Sequence, residues 1–216
     1  MIKKSICADQ WQTWMRLGAE RLGLDLDDSK IEMLRRFAEE LLEANNAFNL
    51  TSITDPFEIA FNLMIDSIYP GKFIPAGSTV LDLGTGAGFP GIPLKIAFPE
   101  LELTLIDSRR KRINFLKFVI RQLKLQGIRA EHVRAEELAK KEGQVFDVVI
   151  CRAVSSMDQL VPLSFPLLKK GGLLLAMKGS GYLQEIENRK FENMEIRQYR
   201  LPELEMDRAL VMIHNP

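Results

Sequence analysis

Four short stretches of this chain carry residues able to do chemistry on a bound ligand. Asp82 stands two residues before Gly84, and glycines recur at Gly84, Gly86 and Gly88 ahead of Pro90-Gly91-Ile92-Pro93-Leu94. Further on, Asp107 ends an apolar run and is followed by Ser108 and then Arg109-Arg110-Lys111-Arg112. Arg152 closes Phe146-Asp147-Val148-Val149-Ile150-Cys151, and Lys178 closes Leu173-Leu174-Leu175-Ala176-Met177. A glycine turn lets the backbone take φ values closed to other residues and approach a ligand closely. A helix opening behind it adds free N–H groups and a positive dipole end. Two ligands fit such a turn. Gly86-x-Gly88-x-x-Gly91 has the dinucleotide spacing, but Asp82 would set a like charge against a pyrophosphate. S-adenosyl-L-methionine carries an α-ammonium and a sulfonium, which a carboxylate suits. A turn that binds nothing is the remaining reading.

Asp107 follows the glycines at roughly the twenty-residue spacing at which an acidic residue meets ribose hydroxyls. A carboxylate accepts both the 2′ and the 3′ hydroxyl of an unphosphorylated ribose; a helix-capping aspartate is the plain alternative. Cations in a first helical turn oppose the helix dipole, by roughly 0.3–1 kcal/mol each at low salt. Four together, with Lys117, Arg121 and Lys124 farther along, point to an anionic partner such as RNA phosphates. A solvated charged face would look the same. Ala135-Glu136 follows the third apolar run, where a doubly wound sheet places an adenine ring; Glu136 is equally readable as helix surface. Arg152 falls at the carboxyl end of the fourth run, where such sheets hold ligands, and Lys178 is a second candidate for phosphate or base contact. No Asn-Pro-Pro-Tyr or Asp-Pro-Pro-Tyr follows Arg152, which argues against methylation of exocyclic amino groups. Cys151 lacks the preceding proline of a cytosine C5 nucleophile and reads as a small buried side chain. Neither histidine has a pattern suggesting acid–base catalysis or metal binding.

The elements that position these residues follow from periodicity. From Trp11 to about Tyr69 the pattern is helical: Ile31, Leu34, Phe37, Ala38, Leu41 and Leu42 make one stripe. Asp27, Asp28 or Ser29 caps its start and Asn45-Asn46 its end, and Asp55-Pro56 opens another helix. Beyond Pro75-Ala76-Gly77, strands alternate with helices: Thr79–Leu83, Leu101–Asp107, Ile128–Val133, Phe146–Cys151 and Gly172–Lys178, with helices between and a further one near Tyr182–Arg189. That alternation predicts an α/β doubly wound, mostly parallel sheet. Met194–Tyr199 and Ala209–Ile213 read as a closing antiparallel hairpin, which favours the methyltransferase reading over a dinucleotide-binding sheet. The division is a helical region, residues 1–72, and a ligand-binding unit, residues 73–216.

Of 216 residues 46% are apolar and 27% charged, with net charge zero, so a nucleic-acid site must be a local patch. Two cysteines are too few for a disulfide framework or a zinc site and point to a reducing, cytoplasmic setting. No run approaches the ~20 apolar residues of a membrane span, no targeting segment is visible, and a monomer is expected. No cofactor metal is expected either.

Several stretches together resemble one family. They are Asn49-Leu50-Thr51, Ile65-Asp66-Ser67, Asp82 through Leu94, Asp107-Ser108 with Lys111-Arg112 and Phe115-Leu116, Arg134-Ala135-Glu136-Glu137, Arg152-Ala153 and Lys178-Gly179. The chain resembles the bacterial small-subunit ribosomal RNA guanine-N7 methyltransferases, also known as glucose-inhibited division protein B. The resemblance implies a class I methyltransferase fold with S-adenosyl-L-methionine at Gly84, Phe89, Asp107, Ser108, Arg109, Ala135, Glu136 and Arg152. It implies methyl transfer to one guanine in the decoding-region loop of 16S rRNA. Asn62-Leu63 departs from the Arg-His that family members often carry. An NAD-binding oxidoreductase, or a protein that binds cofactor or RNA and transfers nothing, are the other readings.

Overall fold

Side-chain caps written into the sequence start two of the amino-terminal helices. The computed structural model describes residues 6–152, 156–182 and 193–216. Helix α1 (Ala8–Leu22) ends at Gly23 in the left-handed conformation. Helix α2 (Asp28–Phe48) begins where the Asp27 carboxylate accepts the Lys30 N–H, a donor with no partner inside the helix. Its stripe from Ile31 to Leu41 is buried, and Trp11 on α1 donates its indole N–H to the Ile31 carbonyl at 3.2 Å. The helix runs past Asn45-Asn46 and stops at Phe48, with Asn49 left-handed. The Asn45 side chain accepts the Thr51 N–H at 2.8 Å, so it pins the loop while its own backbone stays helical.

Asp55 accepts the N–H groups of Phe57 and Glu58 and so caps α3 (Pro56–Glu58). That short helix passes into a π-helical stretch, Ile59–Ile65, then α4 (Asp66–Ile68) and a 3-10 turn, Tyr69–Phe73. The Asp66 N–H reaches the Phe61 carbonyl five residues back. Widened turns of this kind concentrate at functional sites.

The described residues form a seven-stranded sheet, ordered β3-β2-β1-β4-β5-β7-β6. Its strands are β1 (Thr79–Leu83), β2 (Glu102–Asp107), β3 (Ile128–His132), β4 (Phe146–Arg152), β5 (Leu168–Lys178), β6 (Met194–Leu201) and β7 (Met206–His214). The first five pair in parallel; β7 runs antiparallel to both β5 and β6, which is the hairpin finish read from the sequence. Helices α5 (Gly91–Ala97), α6 (Arg110–Gln122), α7 (Ala135–Glu142) and α8 (Met157–Ser164) make the crossovers. Strand β5 starts at Leu168 rather than Gly172, because Leu168 pairs with Phe146 before a shift in register brings Leu173 opposite Val148. The helix read near Tyr182–Arg189 falls, apart from Tyr182, outside the described residues, as does Ala153.

Successive side chains on a strand face opposite sides of the sheet, and the two sides are covered differently. Val80, Leu105, Ile150, Leu175 and Leu210 pack with α1, α2 and the π-helical stretch in one core. Leu81, Ile106, Val149, Cys151 and Ala176 pack with Leu138 of α7 and Leu160 of α8 in a second. Counting by twos puts Asp82, Asp107, Arg152 and Arg208 on the first face, under the helical region, and Lys178 on the second. Among the described residues no helix is long and apolar enough to cross a membrane.

Candidate functional site

At the carboxyl end of β1, Asp82 is fully buried, 0% exposed. Its Oδ2 accepts the Thr85 hydroxyl at 2.6 Å and the Gly91 N–H at 2.8 Å. Its Oδ1 is buried with no hydrogen-bond partner among the described residues. Helix α5 can start this close only because residue 91 is glycine: a Cβ there would lie 2.2 Å from Leu105 Cδ2 and 2.7 Å from Asp82 Oδ2. Between them Gly84, Gly86 and Gly88 take φ of 72°, 59° and 103°. A Cβ on Gly86 would lie in ordinary contact with the Arg112 guanidinium at 3.7 Å, and Gly84 and Gly86 are the partly exposed residues of the loop while Thr85, Ala87 and Gly88 are buried. Phe89 is buried and packs on Phe37 of α2 with ring centroids 5.3 Å apart, so the helical region braces the turn.

Burial pushes the Asp82 carboxyl up to about 7, and the nearby Asp107 charge pushes the same way, against the opposing bonds from Thr85 and Gly91. A carboxyl raised in the folded state stabilises the fold below its ordinary value near 3.9 and loses that contribution as pH rises through 7. Asp82→Asn keeps an acceptor for Thr85 and Gly91 and removes the ionisation. The variant is therefore expected to gain stability relative to the parent protein between pH 5 and pH 8, by on the order of 3 kcal/mol across that window. Denaturant titrations at several pH values measure it; a difference independent of pH would contradict the raised carboxyl.

One strand over, Asp107 is buried at the end of β2. Its Oδ1 accepts the Arg109 N–H at 2.7 Å, and its Oδ2 accepts the Gly86 N–H at 3.1 Å and Arg112 Nη1 at 3.0 Å. Asp107 thus ties the glycine loop to the start of α6. It also divides the basic cluster: Arg112 turns inward to it, while Arg109, Arg110 and Lys111 stay exposed. Ser108 is exposed, and His132 at the end of β3 lies with Nε2 3.0 Å from the Ser108 carbonyl, a partner its sequence context did not suggest. In the first turn of α7, Ala135 is buried and Glu136 exposed. Cys151 is buried on the second face.

Arg152 ends β4. The parallel register pairs Asp82 with Ile150, and Arg152 lies two residues beyond that pair on the strand beside β1. On its other side Arg152 pairs with Met177. Lys178 follows Met177 and therefore faces the opposite side of the sheet, so Arg152 and Lys178 do not share a face. The Arg152 guanidinium instead reaches into the helical region. Its Nη2 donates to the Asn62 carbonyl at 2.6 Å and side-chain oxygen at 2.9 Å and lies 3.3 Å from Asp66 Oδ2; Nη1 reaches Ser67 Oγ at 3.4 Å. Asn62, Tyr199 and Arg208 were not singled out as site residues by the sequence, and Asp66 carried no role there. Their partners lie on different elements, and no local spacing could have joined them.

Comparison with known proteins adds to this geometry. The family described as rRNA small subunit methyltransferase G matches residues 30–211. The ribosomal RNA small subunit methyltransferase G of Desulfitobacterium hafniense (strain Y51) is 44% identical over 177 residues, 81% of this chain and 74% of that protein. Its counterpart in Geobacter sp. (strain M21) is 39% identical over 206 residues, 92% of this chain and 95% of that one. Among solved structures, M. jannaschii TYW2 in complex with AdoMet superposes with TM-score 0.55 at 18% identity, covering 70% of this chain and 74% of that one. A precorrin-6y C5,15-methyltransferase from Geobacter metallireducens GS-15 does so at 0.53 and 10%, covering 77% and 90%. These two likenesses concern the fold.

Proposed function

Since this chain belongs to the family of ribosomal RNA small subunit methyltransferase G, we propose that it methylates N7 of one guanine in the decoding-region loop of 16S rRNA. It is an S-adenosyl-L-methionine-dependent rRNA methyltransferase, and its work belongs in the bacterial cytoplasm with the small ribosomal subunit. We further read residues 1–72 as a helical cover for the catalytic unit, residues 73–216.

The observation that carries the reading is the pair of buried acidic side chains, Asp82 and Asp107, that flank the glycine loop. Asp82 has one oxygen without a partner among the described residues, and Asp107 is bonded to the loop through Gly86. An ammonium and a pair of ribose hydroxyls are the groups such carboxylates suit. On this reading Asp107 takes the ribose, and the backbone of Gly84, Gly86 and Gly88 lies along the cofactor. Asp82 meets the amino-acid end, directly or by fixing the loop. Ser108, Arg109, Ala135, Glu136 and Phe89 line the remainder, and Arg152 borders it. When bound, S-adenosyl-L-methionine supplies a methyl group on a positively charged sulfur that leaves as a neutral thioether.

Guanine N7 already carries an in-plane lone pair at neutral pH, so the protein need not remove a proton to create the nucleophile. Its task is to hold N7 in line with the methyl group and to exclude water, which proximity alone can make worth several orders of magnitude. Arg152 holds guanine O6, and Lys178 positions the RNA strand from the other face. Arg109, Arg110 and Lys111 hold RNA phosphates, with Arg112 kept back by Asp107.

Methyl transfer from labelled S-adenosyl-L-methionine to small subunits and to naked 16S rRNA, both from cells lacking the modification, tests the reading. One methyl group per rRNA molecule on either substrate is expected. Cofactor binding with no transfer to either would overturn it.

A further inference from the structure

A polar cluster assembled from three distant parts of the chain surrounds Arg152, and the proposed function leaves most of it unused. Asp66, 1% exposed, sits at its centre. Its Oδ2 lies 3.3 Å from Arg152 Nη2 and 3.5 Å from Arg208 Nε, and its Oδ1 accepts the Tyr199 hydroxyl at 2.7 Å. Arg208 Nη2 also donates to the Asn62 side-chain oxygen at 2.9 Å, the atom that Arg152 already uses. Tyr199 stacks on Tyr69, ring centroids 4.0 Å apart, which fixes its hydroxyl.

The arrangement is more than packing requires. Burying charges costs several kcal/mol per ion before pairing, and one carboxylate against two guanidiniums leaves a positive charge in excess. The π-helical stretch sets the Asn62 carbonyl and side chain side by side toward Arg152, and Asp66 one turn later. The hairpin supplies Arg208 from β7 and Tyr199 from β6. Burial, and then the Asp66 charge, push the Tyr199 phenol well above its ordinary range, so it serves as a neutral donor to Asp66. Asn62, Asp66 and Ser67 meet Arg152 directly, Arg208 shares the Asn62 and Asp66 Oδ2 oxygens with it, and Tyr199 holds the other Asp66 oxygen. Arg152 itself lies two residues beyond the pair that Ile150 makes with Asp82, the residue bonded to the cofactor loop.

We propose that Asp66 is the positioning residue for Arg152, with Arg208, Tyr199 and Asn62 holding Asp66 and the guanidinium in the one orientation that presents a donor to the acceptor guanine. This rests on the acceptor role proposed for Arg152. A guanidinium has five donors in a rigid plane. With Nη2 and Nη1 tied to Asn62, Asp66 and Ser67, its plane is set before RNA arrives, and the ordering cost of binding falls.

A double-mutant cycle on the full-length protein separates this from a structural role, read as single-turnover methyl transfer at saturating cofactor and small subunits. Arg152→Ala is expected to slow transfer about 100-fold, the scale for removing one transition-state donor. Asp66→Asn is expected to slow it about tenfold and Tyr199→Phe about threefold, with the cofactor dissociation constant within twofold of the parent's. Neither should slow the Arg152→Ala protein further, because both act through the missing guanidinium. If Asp66→Asn fails to fold, the Tyr199→Phe pair alone decides. Multiplicative losses in the double variants, or full activity of Asp66→Asn and Tyr199→Phe, would overturn the inference while leaving Arg152 in place. An unchanged rate for Arg152→Ala would instead remove the acceptor role from which the inference starts.

Discussion

Asp107→Ala is expected to weaken S-adenosyl-L-methionine binding by 100-fold or more. Two ribose hydroxyls on one carboxylate are charge-assisted bonds worth about 1.5–3 kcal/mol each, and tenfold in affinity is about 1.4 kcal/mol. The same substitution frees the Gly86 N–H from its anchor, so the loop also loses its brace. The fold should survive, because the Arg112 guanidinium left behind is partly exposed and can turn to water. Calorimetric titration beside a thermal melt measures both. Near-parental affinity would place the ribose away from the end of β2.

Reversing Arg109, Arg110 and Lys111 to glutamate together should reduce RNA affinity by about 10²–10³ near 0.1 M salt. With three phosphates no longer neutralised, the dependence of log K on log salt should also flatten by roughly 2–3 units. Arg112 is left alone in this variant because it pairs with Asp107. Cofactor affinity should stay within about threefold, since Arg109 reaches Asp107 through its backbone N–H. Filter binding across a salt series reads the effect. An unchanged salt slope would mean the three cations are an ordinary solvated face.

Much of this was legible because the deciding chemistry is local. Asp27 and Asp55 cap helices, the glycine turn joins β1 to α5, and Asp107 ends β2, each through residues a few positions apart. The hairpin was legible from its separate apolar runs. Four features were not. Helix α2 outruns Asn45-Asn46 because a side-chain bond to Thr51 did what a helix stop would have done. The faces of Arg152 and Lys178 could not be assigned, because both faces of β4 and β5 are buried and their apolar runs show no alternation to count from. Above all, the cluster on Asp66 joins residues 85 to 146 positions apart, through the one stretch where the helix widens. Arg112 likewise read as one more cation beside three others. Only its neighbour Asp107 distinguishes it.

The most direct test of the account is the identity of the methylated nucleoside. Small subunits lacking the modification are treated with the protein and labelled S-adenosyl-L-methionine, and the rRNA is digested to nucleosides and separated. The label is expected to co-migrate with 7-methylguanosine. Label in any other nucleoside would contradict the N7 acceptor and the base-free chemistry built on it.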